Sequence, residues 1–188
     1  MKKALLLAGV ASLFATAANA EIKPYIGLDG NYSTLDWAYD IENMIEDDYQ
    51  SVSLIAGAKV VRNFGLEAFY QLSGGEKNSG SSVMQPDGNL FHSRFTAYGL
   101  DALGYLPLGC EGKVELIAGA GIGEYIFKIR ELGNGSFKDH STGYRLNAGV
   151  QYNIDENWSL RGMYHHVYTQ KSYVDAIDEF SVGVRYNF

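Results

Sequence analysis

The last nine residues of the chain alternate strictly between apolar and polar or small side chains. The apolar positions are Phe180, Val182, Val184, Tyr186 and Phe188, and the positions between them are Ser181, Gly183, Arg185 and Asn187. Successive side chains of a strand point to opposite faces, so a period of two predicts a strand with one apolar and one polar face. This strand runs to the terminal residue.

The same alternation recurs along the chain and predicts eight strands. We place them at about Lys23 to Tyr32, Tyr49 to Val61, Gly65 to Leu72, Ser93 to Leu106, Lys113 to Phe127, Thr142 to Asn153, Trp158 to Tyr168 and Glu179 to Phe188. An even number of alternating segments of about ten residues, separated by turn residues, is typical of barrels that cross the bacterial outer membrane. The pattern therefore predicts an all-β fold, an eight-stranded antiparallel up-and-down transmembrane β-barrel.

The connections between these segments alternate in length. The short ones are Arg62 to Phe64, Pro107 to Gly112 and Ile154 to Asn157, and the long ones are Ser33 to Asp48, Ser73 to His92, Lys128 to Ser141 and Thr169 to Asp178. Outer-membrane barrels have short periplasmic turns and long external loops. We therefore expect both ends of the barrel domain on the periplasmic side.

Every second residue of the predicted strands lies on one face of the sheet, and the residues on this face carry no charge. Its members include Ile26, Leu28, Val52, Leu54, Leu66, Tyr70, Leu100, Leu116, Ile122, Leu146, Val150, Leu160, Val182 and Val184. A Lys or Arg facing lipid at mid-membrane would cost about 2–4 kcal/mol, so an uncharged column of this length favours a lipid-facing surface. The alternative, a soluble sandwich with two buried faces, does not account for an aromatic C-terminus together with an N-terminal export signal.

The opposite parity is rich in charge and in glycine. We predict a network of charged side chains inside the barrel, formed by Lys59, Glu67, Asp101, Glu115, Arg145, Arg161 and Arg185. Eight strands enclose a space that side chains can fill, and glycines leave room for long ones. We expect Lys59 and Glu67 to pair across the first tight hairpin, and the charges together to plug the periplasmic half of the lumen.

The first 20 residues have the pattern of a cleaved export signal. Lys2 and Lys3 precede an apolar run, and Ala18 to Ala20 has the A-x-A form of a cleavage site. We expect a signal peptide at 1–20 and a barrel domain at 21–188. The alternative is a permanent anchor, but the run is shorter than the roughly 20 residues of a spanning helix. The formal net charge of −7 argues against nucleic acid as a partner.

The longest acidic stretch lies in the first long connection. Its carboxylates are Asp36, Asp40, Glu42, Glu46, Asp47 and Asp48, with no basic residue among them. Such a loop could bind Ca²⁺ or Mg²⁺, which prefer oxygen ligands, or it could simply keep the surface solvated. The pattern indicates no catalytic residue, no resident metal and no cofactor.

Three parts of the chain resemble the outer-membrane β-barrel family that includes opacity-type proteins and relatives of the outer-membrane protein A membrane domain. They are the start Lys23 to Tyr32, the glycine-rich strand Gly119 to Gly123, and the ending Asp178 to Phe188. The resemblance implies that Phe188 is a signal read by the barrel-assembly machinery. It also implies a non-enzymatic surface protein of the bacterial cell outer membrane, working in envelope integrity, adhesion or host interaction through its external loops.

Two other functions stay open at this point. A narrow porin-like channel for small solutes or ions would need a continuous wet path through the lumen. A lipid A-modifying enzyme is a further alternative, because lipid A deacylases are also eight-stranded barrels, but their His-x-Ser signature is not met at His165, His92 or His140. We expect a monomer in contact with outer-membrane lipid and lipopolysaccharide, with a host or other surface ligand at the loops.

Overall fold

The computed structural model describes residues 22–37, 48–74, 76–77, 91–109, 112–131, 135–170 and 174–188. Within these ranges the chain forms the strands β1 (Lys23–Trp37), β2 (Asp48–Val61), β3 (Phe64–Ser73), β4 (Glu76–Lys77), β5 (Phe91–Leu108), β6 (Val114–Glu131), β7 (Gly135–Asn153), β8 (Trp158–Gln170) and β9 (Val174–Asn187). Strand β4 has two residues. The eight long strands build the fold. The predicted signal peptide at 1–20 lies outside the described residues.

The eight long strands close into a barrel. Each pairs antiparallel with its neighbour along the chain, β4 lies against the first residues of β5, and the β1–β9 and β3–β5 pairings complete the circle. Closure leaves none of the eight with an unpaired edge. The prediction of an eight-stranded antiparallel up-and-down barrel is confirmed.

Local turn chemistry explains the short connections. Gly109 and Gly112 bracket the β5–β6 turn with φ angles of +72° and +62°, which glycine adopts without a steric penalty. In the β8 turn, Asp155 Oδ1 accepts hydrogen bonds from the backbone N–H groups of Asn157 (2.8 Å) and Trp158 (2.7 Å). We call the end of the barrel that holds these turns, the start of β1 and the end of β9 the turn end, and we call the opposite end the loop end.

The two faces of the wall differ as the alternation predicts. Large apolar side chains point outward and stay exposed, for example Leu54 at 59% and Val182 at 63%. Inward positions are buried and include polar residues such as Gln71 and Gln151. No helix within the described ranges is long and apolar enough to cross a membrane.

The strands extend further at the loop end than the pattern predicts. The segment Lys128 to Ser141, expected to be a long loop, is mostly paired strand, because β6 and β7 stay in register as far as Glu131 and Gly135. Backbone pairing continues there, although the hydrophobic alternation fades and the outward positions include Lys128 and Lys138. The expectation of a long loop was wrong because a period of two in hydrophobicity shows that the two faces of a strand meet different surroundings. It does not show where backbone pairing ends.

The interior has two main layers, and a smaller apolar cluster of Leu103, Tyr105, Ile117 and Met163 packs beside the ionic one. The ionic layer lies in the turn-end half and middle of the lumen and contains Asp29, Lys59, Glu67, Asp101, Glu115, Arg145, Arg161, Glu179 and Arg185. The apolar layer lies at the loop end and contains Leu35, Tyr49, Phe95, Phe127, Val174 and Ile177. The Phe95 ring is 5.7 Å from that of Tyr49 and 6.1 Å from that of Phe127. The apolar layer was not predicted.

Candidate functional site

The ionic layer begins at the turn end with Lys59 and Glu115. The Nζ atom of Lys59 lies 2.6 Å and 2.8 Å from the two carboxylate oxygens of Glu115, and 4.2 Å from the centre of the Tyr105 ring. Gln151, the register neighbour of Glu115, donates a hydrogen bond of 3.1 Å to the same carboxylate. These contacts tie β2, β6 and β7 together across the lumen.

Arg161 continues the network from Gln151 to Glu67. Its Nε and Nη2 atoms donate to Gln151 Oε1 at 2.9 Å and 2.7 Å, and its Nη1 atom donates to Glu67 Oε2 at 2.6 Å. The hydroxyl of Tyr25 donates to the same Glu67 oxygen at 2.8 Å. Arg161 is only 2% exposed, so these hydrogen bonds replace the water it has lost.

Arg185 and Asp29 form a two-pronged ion pair from β9 to β1. Arg185 Nη2 donates to Asp29 Oδ2 at 2.8 Å, and its Nη1 donates to Asp29 Oδ1. Glycines on both strands leave the space for it. A Cβ atom at Gly27 would lie 2.5 Å from Arg185 Cδ, and one at Gly183 would lie 1.8 Å from Asp29 Oδ1.

Arg145 is shared by two carboxylates. Its Nη2 atom is 3.6 Å from Glu179 Oε1, its Nε atom is 3.9 Å from Asp101 Oδ1, and its guanidinium lies 4.0 Å above the Phe69 ring. Glu179 is further satisfied by hydrogen bonds from Ser33 and Gln71. Among the described residues, Asp101 Oδ1 and Arg145 Nε are buried without a hydrogen-bond partner.

Little empty volume remains between these groups. A cavity of about 10 Å³, bordered by Asp29, Asp101, Arg145 and Glu179 among others, lies in the middle of the lumen. That is about the room one water molecule needs. Chemically, the layer can hold strands together and exclude water. Removing one partner of such a pair would leave an uncompensated buried charge, at a cost of about 3–5 kcal/mol.

The seven residues predicted for the charge network all point into the barrel, but one predicted pairing is wrong. Lys59 pairs with Glu115 and not with Glu67. Strand register explains the difference, because Lys59 lies opposite Gly65 while Glu67 lies opposite Gly57. Sequence reasoning missed Glu179. Glu179 lies an even number of positions before Arg185 on the same strand, so the alternation could have placed it on the same inward face.

The acidic connection is described only in part. Asp36 is exposed at the end of β1, and Asp48 begins β2, where its Oδ1 atom accepts a hydrogen bond of 3.1 Å from Thr34. Asp40, Glu42, Glu46 and Asp47 lie outside the described residues. In the part of the chain that is described, no group of three or more His, Cys, Asp and Glu side chains could hold a metal ion. Binding of Ca²⁺ or Mg²⁺ by this loop stays a prediction.

Aromatic side chains cluster at the turn end of β8 and β9. Tyr186 packs edge-on against Trp158 at 5.1 Å and against Phe188 at 5.2 Å between ring centres. Phe188 is 68% exposed, and its N–H donates to the carbonyl of Pro24 at 3.0 Å, which extends β9 along β1 to the last residue. The proposed role of Phe188 as an assembly signal stays a prediction.

The side chains of the adjacent residues His165 and His166 lie on opposite sides of the barrel wall. His165 is inside, 2.7 Å from Asn147 Oδ1, whereas the Nδ1 atom of His166 is outside, 2.6 Å from Asp178 Oδ1. Asp178 also accepts a hydrogen bond from the Tyr164 hydroxyl, beyond the apolar band. The Tyr164 and His166 hydrogen bonds hold the pKa of the Asp178 carboxyl below its usual value. The two imidazoles cannot share a ligand.

Three cations form a row on the outer face of the loop end. Arg94 lies opposite Lys128 in the β5–β6 register, and Lys128 lies opposite Lys138 in the β6–β7 register. Arg94 and Lys138 are exposed and Lys128 is half-buried. We call these three residues the basic row. Like charges directly opposite each other destabilise a sheet, and the Glu124 carboxylate interacts with Lys138 in this region.

Comparisons with known proteins agree with this architecture. A family model described as "Outer membrane protein beta-barrel domain" matches residues 4–188. The search of the curated proteins finds no match.

Solved structures of similar shape include three bacterial proteins. Neisserial surface protein A has 19% identity and a TM-score of 0.67, with 88% of this chain and 97% of that one covered. The attachment invasion locus protein of Yersinia pestis has 17% identity and a TM-score of 0.58, with 90% and 99% covered. The N-terminal barrel domain of Pseudomonas aeruginosa OprF has 14% identity and a TM-score of 0.57, with 87% and 97% covered. At these identities the likeness shows the fold.

Proposed function

Because the chain belongs to the outer membrane protein β-barrel domain family, and is therefore an outer-membrane protein, we propose that it is a sealed, non-enzymatic surface barrel. The observation that carries this proposal is the packed lumen of the described residues, in which ion pairs and aromatic rings surround a central cavity of about 10 Å³. Such a barrel strengthens the envelope and presents its loop end outside the cell. A cleaved signal peptide at 1–20 and recognition of Phe188 by the assembly machinery belong to the same proposal.

We propose that the basic row binds phosphate groups of lipopolysaccharide. The row faces sideways from the barrel wall, so its neighbours are the molecules of the same membrane leaflet. Lys128 is four residues beyond Glu124, the first outward charge of β6, which places it about 10 Å higher along a tilted strand. This position is above the apolar band, where sugars and phosphates lie. Lys and Arg are the side chains that pair with phosphate.

A binding titration tests the lipopolysaccharide contact. The barrel is reconstituted in nanodiscs, and binding of purified lipopolysaccharide is measured for the native chain and for the triple variant Arg94→Glu, Lys128→Glu and Lys138→Glu. We expect the triple variant to bind at least tenfold more weakly, with a native affinity that falls as salt is added. Substitution of Arg62→Glu in the β2–β3 turn is the matched control, since it reverses a charge at the opposite end. Equal binding by the native chain and the triple variant would reject the contact.

The loops are the proposed surfaces for adhesion or host interaction. Recognition is usually carried by loops on a rigid scaffold, and the two candidates are Ser33 to Asp48 and Ser73 to His92. Binding of host-cell surfaces by inserted protein with each loop shortened in turn is the measurement. If nanodiscs with the native barrel bind host cells no better than empty nanodiscs, the proposed role in adhesion is rejected and the role in envelope integrity is the one that stays.

A further inference from the structure

The buried charges of the described lumen do not balance. Five carboxylates are buried there, at Asp29, Glu67, Asp101, Glu115 and Glu179. The cations within the lumen that face them are Lys59, Arg145, Arg161 and Arg185. Lys23 lies opposite Lys59 at the turn end but is exposed to solvent, so it is not counted among the buried charges. With His165 neutral, one negative charge is left over inside a low-dielectric space. An unpaired buried charge is costly, and a carboxylate in this situation takes up a proton instead.

The geometry shows where the surplus lies. Lys59 is matched by Glu115 at 2.6 Å, Arg161 by Glu67 at 2.6 Å, and Arg185 by Asp29 through two hydrogen bonds. Each of these three cations therefore has a carboxylate of its own. Arg185 also approaches Glu67 at 3.9 Å, but Arg161 already holds that carboxylate. Arg145 is shared between Glu179 at 3.6 Å and Asp101 at 3.9 Å, and no other cation of the four contacts either carboxylate within the described lumen. The unbalanced carboxylate is one of these two.

Asp101 is the poorer site for a negative charge. Glu179 accepts hydrogen bonds from Ser33 and Gln71, whereas Asp101 Oδ1 is buried with no hydrogen-bond partner among the described residues. Asp101 also lies directly opposite Glu67 in the β3–β5 register, on the same inward face. Like charges at opposed positions repel, and Glu67 is already held as a carboxylate by Arg161.

The groups around Asp101 on the other strands leave no better place for the proton. The carboxyl borders a cavity also lined by Asp29, Glu67, Arg145, His165, Glu179 and Arg185. Arg161, Tyr125 and the amide of Asn147 also lie close enough to interact with it, but Arg161 is already paired with Glu67. A positive charge on His165 would be repelled by the nearby guanidinium groups. Its ring nitrogens already contact Asn147 Oδ1 at 2.7 Å and Ser181 Oγ at 3.2 Å. Gly121 on β6 lies opposite Asp101 and brings no charge.

We infer that Asp101 is a buried proton-binding site, a carboxylic acid in the folded barrel at neutral pH. The lumen then holds as many negative as positive charges, and the shared guanidinium of Arg145 needs to balance only Glu179. Because an aspartate in the unfolded chain is ionised at this pH, folding takes up one proton at Asp101. This linkage makes the closed lumen sensitive to pH through one residue.

Infrared spectroscopy tests the proton directly. The C=O stretch of a protonated carboxyl is separate from the bands of a carboxylate. We expect such a band in the native barrel at neutral pH, shifted when the chain carries ¹³C-labelled aspartate and unshifted with ¹³C-labelled glutamate. Labelling changes no side chain, so the experiment does not depend on a variant that folds. A missing band, or a shift with labelled glutamate, would overturn the inference.

A folding measurement on a neutral variant gives a second test. Asp101→Asn keeps the shape and removes the proton site, and the infrared band should disappear with it. Above the ordinary pKa of an aspartate, about 4, the folding equilibrium constant of the native chain should fall about tenfold per pH unit relative to that of the variant. Parallel pH profiles contradict proton uptake. A native barrel destabilised when sodium and potassium are replaced by a bulky cation would indicate a bound metal ion in place of the proton, and would also overturn the inference.

Discussion

The two layers of the lumen fill the same cylinder with opposite chemistry. In the ionic layer, each contact joins particular atoms, such as Arg161 Nη1 and Glu67 Oε2 at 2.6 Å. In the apolar layer, rings such as Phe95 and Phe127 pack at 6.1 Å with no directional bond. Directional pairs fail when one partner is lost, whereas apolar packing tolerates a change of shape at similar volume. The comparison therefore predicts that the turn-end half is the more specific and the more fragile.

The largest expected effect is the loss of one charge from the ionic layer. Arg161→Met should reduce the free energy of unfolding by about 3–5 kcal/mol, because the buried Glu67 carboxylate loses its hydrogen-bonded cation and keeps only the more distant Arg185 at 3.9 Å. Equilibrium unfolding in urea, with the barrel in lipid vesicles, is the measurement. The double variant Arg161→Met with Glu67→Gln should recover part of the loss. A loss below about 1 kcal/mol for the single variant would contradict a buried, specific pair.

A smaller effect is expected where the ionic layer needs space. In Gly183→Ala, the added Cβ atom would lie 1.8 Å from Asp29 Oδ1 and 2.2 Å from the carbonyl oxygen of Leu28. The Arg185–Asp29 pair and the β1 backbone must shift, at about 1–3 kcal/mol. Gly162→Ala is the matched control, because nothing lies within 4 Å of its new Cβ atom. Equal unfolding free energies for the two variants would show that the lumen is loosely packed.

A change in the apolar layer should cost less than the loss of a charge. Phe127 is 7% exposed, and Phe127→Leu keeps an apolar side chain of similar size. We expect the free energy of unfolding to fall by less than about 1.5 kcal/mol, as measured by the same urea titration. A loss as large as that of Arg161→Met would end the distinction between the two layers.

The smallest effect concerns the exposed cluster outside both layers. The pKa of Asp178 is lowered by the Tyr164 and His166 hydrogen bonds, so its stabilisation is present above the ordinary carboxyl pKa. It is lost as the pH falls through the lower pKa of the folded state. Asp178→Asn should therefore lose less than about 1 kcal/mol at neutral pH, and the difference should shrink as the pH falls below about 4, where the carboxyl becomes protonated. A difference that keeps growing below that pH would have the wrong sign.

Strand parity was enough to place single residues, but not to pair them. Lys59, Glu67 and Arg161 stand out because a charge in an alternating segment can face only the lumen. Which charge meets which depends on the stagger of the closed sheet, and no single strand carries that information. Glu179 was missed because its neighbour Asp178 is also charged, so the alternation that marks an inward position is absent there.

The loop end was harder to predict for a related reason. Leu35, Tyr49, Phe95 and Phe127 are apolar inward residues. Their outward neighbours include Asp36, Gln50, Arg94 and Lys128, so the alternation there is the reverse of that in the lipid-facing wall. A rule that assigns apolar positions to lipid therefore does not place these four side chains in the lumen. Beyond the membrane, Lys128 and Lys138 remove the outward signal as well, although the strands continue to pair. Hydrophobic alternation therefore predicts strand faces best in the turn-end half, where the outside meets lipid and the inside is ionic.

The central claim, that both layers together close the lumen, is tested most directly by electrical conductance. The native barrel is inserted in a planar bilayer and the current is recorded under a steady voltage in molar salt. The filled lumen predicts a silent baseline in the native chain. A steady ohmic current that scales with the number of inserted barrels would contradict it, and would favour a narrow channel.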